Sequence, residues 1–62
     1  MPNVETTGLA LEIAHTTSQA RFEMVDVAIK YFRRIGIAGE HSGSFIHLDV
    51  DPYKPQDVIW TY

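Results

Sequence analysis

Phe45-Ile46-His47-Leu48-Asp49-Val50, entered from Ser44 and left through Asp51, is the run whose reading decides the fold. In an extended strand successive side chains point to opposite faces. Ile46, Leu48 and Val50 therefore face one way, and Phe45, His47, Asp49 and Asp51 the other. The first set is what a buried core asks for. The second, an imidazole in register with carboxylates, asks for solvent, a metal or a substrate as its neighbour.

Upstream, Leu9-Ala10-Leu11-Glu12-Ile13-Ala14 alternates large apolar residues with small or acidic ones. That pattern predicts a half-buried strand with Leu9, Leu11 and Ile13 inward and Ala10, Glu12 and Ala14 outward. Thr16, Thr17 and Ser18 can cap a helix, with Thr16 and Gln19 at capping-box spacing. From Gln19 to about Arg33 the apolar residues Phe22, Val25, Ile29 and Phe32 recur at helical steps, which predicts one amphipathic helix of about four turns. Glu23 and Asp26 toward its start, and Lys30, Arg33 and Arg34 toward its end, suit the helix dipole.

Ile35-Gly36-Ile37-Ala38 reads as a short strand, and the glycine-bracketed loop from Gly39 to Gly43 as the hairpin connection into the Phe45 run. Asp51-Pro52-Tyr53-Lys54-Pro55 has turn chemistry, and Val58-Ile59-Trp60-Thr61-Tyr62 has the makeup of a last strand. The expectation is a single small α+β domain spanning residues 1–62, with a small antiparallel sheet of three to four strands and the helix on one face. The expected core is Leu9, Leu11, Ile13, Phe22, Val25, Ile29, Phe32, Ile35, Ile37, Ile46, Leu48 and Val50.

A 62-residue chain buries only about 60% of the surface its unfolded form exposes, so its stability is marginal. With no cysteine there is no disulfide or thiolate site, and a metal would be held by His, Asp and Glu. A net charge of −3 argues against nucleic acid as a partner. No apolar stretch approaches the ~20 residues that span a bilayer, so no membrane partner is expected. The start, Met1-Pro2-Asn3-Val4-Glu5, lacks the charged and apolar regions of a signal peptide. The expected location is the cytoplasm, or release with phage or by lysis.

If the strands carrying Glu12 and His47 lie near one another, a carboxylate and an imidazole emerge on the same open face. Zinc accepts both, but a catalytic zinc takes three protein ligands and keeps one position for water. Glu5, His15, Asp49 and His41 are all candidates for the third, and spacing does not choose among them.

The run Gly8-Leu9-Ala10-Leu11-Glu12-Ile13, a following helix, Arg34-Ile35-Gly36-Ile37-Ala38, Phe45-Ile46-His47-Leu48-Asp49-Val50 and Trp60 together resemble the C-terminal half of the zinc D-alanyl-D-alanine carboxypeptidase family. These are peptidoglycan-cleaving metallopeptidases that include phage endolysins. The family pattern is Ser-x-His-x-x-Gly-x-Ala-x-Asp, whose His and Asp bind zinc, then Phe-Ile/Val-His-x-Asp, whose His is the third ligand, and a tryptophan downstream. The resemblance implies His47, Glu12 and Glu5 at the metal positions, Zn2+ as cofactor and a peptidoglycan peptide as substrate. Asp49 falls where it would orient the metal or its water, the candidate catalytic role.

The chain departs from that pattern at three positions: Glu5 stands for the family's first His, Glu12 for its Asp and Asn3 for its Ser. The family's N-terminal portion, which supplies a substrate-binding arginine, has no counterpart in the matched residues. Two readings follow, a metallopeptidase-like zinc domain and a non-catalytic binding or structural module of a cell wall or virion. The second is expected to self-associate as a homo-oligomer through the uncovered sheet face around Phe45.

Overall fold

The computed structural model describes residues 3–5 and 8–62, with side chains from residue 10 onward. In chain order the elements are β1 (Asn3–Glu5), β2 (Gly8–Ile13), α1 (Ser18–Ala28), β3 (Arg34–Ile37), a 3-10 turn (Glu40–Ser42), β4 (Ile46–Asp49) and β5 (Val58–Thr61). The strands form one sheet in the order β1-β2-β4-β3-β5. This is the small α+β architecture expected, with the Phe45 run at its centre, but the sheet has five strands and not three to four, because Asn3–Glu5 pairs with β2 as an added edge strand.

One pairing departs from an all-antiparallel sheet. β5 runs parallel to β3, beginning with Arg34 opposite Val58. The connection after β4 passes over the end of β3 and brings β5 to its far side. It is built on hydrogen bonds: Asp51 Oδ1 accepts from the Tyr53 amide at 3.0 Å, Gln56 Nε2 donates to the Asp51 carbonyl at 2.7 Å, and Arg34 Nη1 donates to the Pro55 carbonyl at 2.8 Å. The β3–β4 hairpin closes as expected, through Gly43 at φ 103°, a left-handed conformation that favours glycine.

α1 is shorter than its apolar pattern predicts. Its N-cap is Thr17, whose side chain accepts from the Ala20 amide at 3.1 Å. Thr16 is committed elsewhere: its hydroxyl and its amide both donate to the Ser44 carbonyl at 2.8 Å, tying the β2–α1 corner to the approach of β4. After Ala28 the chain tightens, with the Tyr31 amide donating to the Ala28 carbonyl at 2.9 Å, a 3-10-type closure of the free carbonyls. The expected dipole match is therefore absent, since α1 has no acidic residue in its first turn and no basic residue in its last.

The inward stripe of the helix is also turned by about one residue from the expected one. Met24, Val25, Ala28 and Phe32 pack on the sheet, whereas Phe22 is 77% exposed and Ile29 is exposed. Apolar residues occur on more than one side of this helix, so periodicity alone does not fix its rotation. Arg21 decides the first turn: its Nη1 donates to the Thr16 carbonyl at 2.8 Å, which holds position 21 toward the fold and turns Phe22 out.

The buried core is Ala28, Ile35, Ile46 and Leu48, with Ile13, Met24, Val25, Phe32 and Ile37 partly buried against it. Leu11 is half-buried, Val50 lies just past β4 and is exposed, and the Leu9 side chain lies outside the described residues. A helix about 10 Å across cannot cover five strands spaced ~4.8 Å apart. Ile59, on outer strand β5, is exposed accordingly.

Candidate functional site

The sheet face away from α1 carries the polar residues. Register pairs Glu12 of β2 with His47 of β4, His47 with Gly36 of β3, and Gly36 with Trp60 of β5. A single row thus crosses four strands, and the adjacent row carries Ala10, Asp49, Arg34 and Val58. Alternation along four short strands is enough to put all these side chains on one face.

His47 lies between two carboxylates. Its Nε2 is 2.6 Å from Asp49 Oδ2, and its Nδ1 is 3.3 Å from Glu12 Oε2. The two partners differ in setting, because the Asp49 side chain is 8% exposed and that of Glu12 is 59%. Asp49 is a buried residue of the central strand β4, and its charge is built into the fold. Its Oδ1 accepts from the Asp51 amide at 3.1 Å and lies 2.8 Å from Arg34 Nε.

Those contacts hold the Asp49 carboxyl below its ordinary value. Burial is the largest influence and pushes upward; the His47 hydrogen bond, the Asp51 amide and the positive charges of Arg34 and His47 together outweigh it. An ionised carboxylate only accepts. Nε2 of His47 therefore carries a proton, and in the neutral ring the Nδ1 lone pair faces Glu12.

Arg34 is enclosed as well, at 12% side-chain exposure. Its guanidinium carbon sits 5.0 Å from the centroid of the Trp60 ring, within the range of a cation–π contact. The Nε–H is buried and is not directed at an acceptor among the described residues, so its approach to Asp49 is a charge contact and not an aligned hydrogen bond. Trp60 also flanks His47, with ring centroids 5.5 Å apart. It lies flat over Gly36, where an added Cβ would stand 2.7 Å from the indole. Tyr62 continues the aromatic strip toward Phe45, their centroids 4.8 Å apart.

Of the residues the sequence singled out, His47, Glu12 and Asp49 come together. The Glu5 side chain lies outside the described residues; in register Glu5 pairs with Gly8. His15 and His41 are exposed in connecting turns. Among the described residues no group of three His, Cys, Asp or Glu could hold a metal ion. Glu12 and Asp49 occupy opposite edges of the imidazole, so the two cannot share one ion with it. His47 Nδ1 and Glu12 are donors of the kinds zinc accepts, but they number two, short of the three protein ligands a catalytic zinc takes.

Sequence reasoning missed Arg34 and the Gly36–Trp60 contact. The hairpin centred on Gly39–Gly43 could have supplied the first, since pairing Ile37 with Ile46 puts Arg34 opposite Asp49. The second depends on the parallel pairing of β5, for which the sequence carries no local signal. No family model matches the chain, and neither a curated protein nor a solved structure matches it.

Proposed function

We propose that the open face is a metal-dependent hydrolytic site of the D-alanyl-D-alanine carboxypeptidase kind, with His47 and Glu12 as zinc ligands and peptidoglycan peptides as the substrate class. The observation that carries this reading is the approach of Glu12 Oε2 to the Nδ1 edge of His47 at 3.3 Å, while Asp49 holds Nε2 at 2.6 Å. Metal-binding imidazoles commonly donate their far N–H to a carboxylate in this way. On the resemblance to that family Glu5 would be the third ligand, but the register sets it opposite Gly8, four residues along β2 from Glu12 and with β2 between it and His47, too far to join them on one ion as the sheet stands.

Bound zinc would polarise the scissile carbonyl and acidify a water. The residues of the chain do the rest. Asp49 keeps the proton on Nε2 and so directs the Nδ1 lone pair outward, Glu12 adds an anionic donor beside it, and Trp60 forms an apolar wall that limits water on the β5 side. Action on the cell wall suits a protein released with phage or by lysis. No helix among the described residues is long and apolar enough to cross a membrane.

Metal analysis of protein prepared with zinc present throughout tests the reading. Stoichiometric zinc is expected in the parent chain, with its loss in His47→Ala and a lower melting temperature on adding a chelator. Protein free of zinc under those conditions would sink it.

A second reading is favoured by one specific observation: both ring nitrogens of His47 already face a carboxylate of the chain itself, so the doubly protonated ring is satisfied without a metal. The face then serves as a non-catalytic binding or structural surface, and the strip of Phe45, Tyr62 and Trp60 makes a homodimer contact. Sedimentation separates the two, since a metal-free dimer supports this reading and a zinc-loaded monomer removes it.

A further inference from the structure

We propose that Arg34 is a positioning residue for the His47 site, acting through Asp49. The inference rests on the metal reading above for its functional meaning and on the metal-free geometry for its evidence.

Arg34 is held at three points. Nη1 donates to the Pro55 carbonyl at 2.8 Å, Nε lies 2.8 Å from Asp49 Oδ1, and the guanidinium carbon sits over the Trp60 ring, 5.0 Å from its centroid. Asp49 Oδ1 is thus occupied by Arg34 and by the Asp51 amide. With Oδ1 held by the Asp51 hydrogen bond and drawn toward the charge of Arg34, Oδ2 is left facing His47 Nε2 at 2.6 Å. Arg34 therefore sets the carboxylate plane, and the carboxylate sets which ring nitrogen keeps its hydrogen. The loop that follows β4 enters the same chain of contacts through Pro55, so it reaches His47 by way of Arg34.

Charge alone does not do this. A lysine at position 34 would supply a positive charge, but not a planar group that can bond the Pro55 carbonyl, contact Asp49 and lie over the indole together. Trp60 contacts both Arg34 and His47, and loss of the guanidinium frees the indole from one of its supports.

The test reads the His47 ring nitrogens of the metal-free full chain by long-range 1H–15N NMR, and zinc affinity by competition with a chromogenic chelator. In the parent chain, neutral His47 should be a single species protonated at Nε2. Arg34→Met should show both tautomers in exchange and bind zinc about 10- to 100-fold more weakly, the range seen when such outer partners are lost. Arg34→Lys, which keeps the charge if the neutral variant fails to fold, should fall between the two.

Asp49→Asn should alter the ring signals as Arg34→Met does, and the double variant should be no worse than Asp49→Asn alone. Parent-like ring signals in Arg34→Lys and in folded Arg34→Met would overturn the proposal, and so would effects of Arg34 and Asp49 that simply add. A parent chain that takes up no zinc would overturn the metal reading, and the ring signals would still decide the role of Arg34.

Discussion

The two faces of the sheet are held by different physics. Under α1, Ile35, Ile46 and Leu48 are buried by contacts that need volume and no direction. On the open face, Arg34 and Asp49 are nearly as enclosed, at 12% and 8% side-chain exposure, yet each depends on a particular atom of a particular neighbour. The apolar face tolerates approximate partners, as the turned helix stripe shows. The polar face does not, because a buried charge without its partner costs more than a missing methyl group.

The largest effect should come from the apolar side. Ile46 is 0% exposed at the centre of the sheet, and Ile46→Ala should cost about 2–5 kcal/mol. A chain of this length has a total stability of roughly 3–9 kcal/mol, so chemical denaturation should find the variant largely unfolded or close to it. A loss below about 1 kcal/mol would mean that the two faces do not differ as described.

Arg34→Met sharpens the comparison from the other side. It leaves the enclosed Asp49 without its arginine, held only by His47 and the Asp51 amide, and should cost about 3 kcal/mol, with part of the loss recovered when Asp49→Asn is added. No such recovery is available to Ile46→Ala from any polar change. A double variant whose loss equals the sum of the two single losses would show that the pair is not coupled.

Gly36→Ala tests the packing of the open face. The new Cβ would stand 2.7 Å from the Trp60 indole, which must lift, at a cost of about 1–3 kcal/mol. Trp60 fluorescence should report the displacement along with the stability. An unchanged emission spectrum would mean that Trp60 does not lie on Gly36.

The division between faces was largely legible in the sequence, because a period of two cannot be mistaken across Phe45 to Asp51. The same alternation put Glu12 and His47 on one face only on the condition that their strands are neighbours, and the register that pairs them comes from the structure. Helix rotation was not legible: Met24, Val27 and Tyr31 offer a second apolar side, and the choice is made by Arg21 reaching back to Thr16. Nor was the closure of the site legible. It needs β5 parallel to β3 so that Trp60 meets Gly36 and Arg34, a long-range pairing that the makeup of Val58–Thr61 does not encode.

Acid should act on the polar face alone. The Asp49 carboxyl is held below its ordinary value of 3.8, so its contribution to stability is complete above that value and is lost as pH falls through the folded-state value. Melting temperatures taken from about pH 6 to about pH 2 should decline most steeply below the ordinary carboxylate range. Asp49→Asn should flatten that part of the decline, while Ile46→Val, which only trims the core, should shift the curve down in parallel. A curve of the same shape in Asp49→Asn would assign the acid loss to other carboxylates.

The smallest effect is expected at Phe22, which marks the outer limit of the apolar face. Its aromatic ring is 77% exposed, so replacing it forfeits almost no burial, and glutamine is at least as good a helix former. Phe22→Gln should therefore lie within about 0.5 kcal/mol of the parent chain. Val25→Ala, three residues along and partly packed on the core, should cost clearly more. The order of these two variants fixes the rotation of α1: were Phe22→Gln the worse of them, the stripe of Phe22, Val25, Ile29 and Phe32 would face the sheet. The separation of faces would still stand, but with a different edge of the helix closing the apolar one.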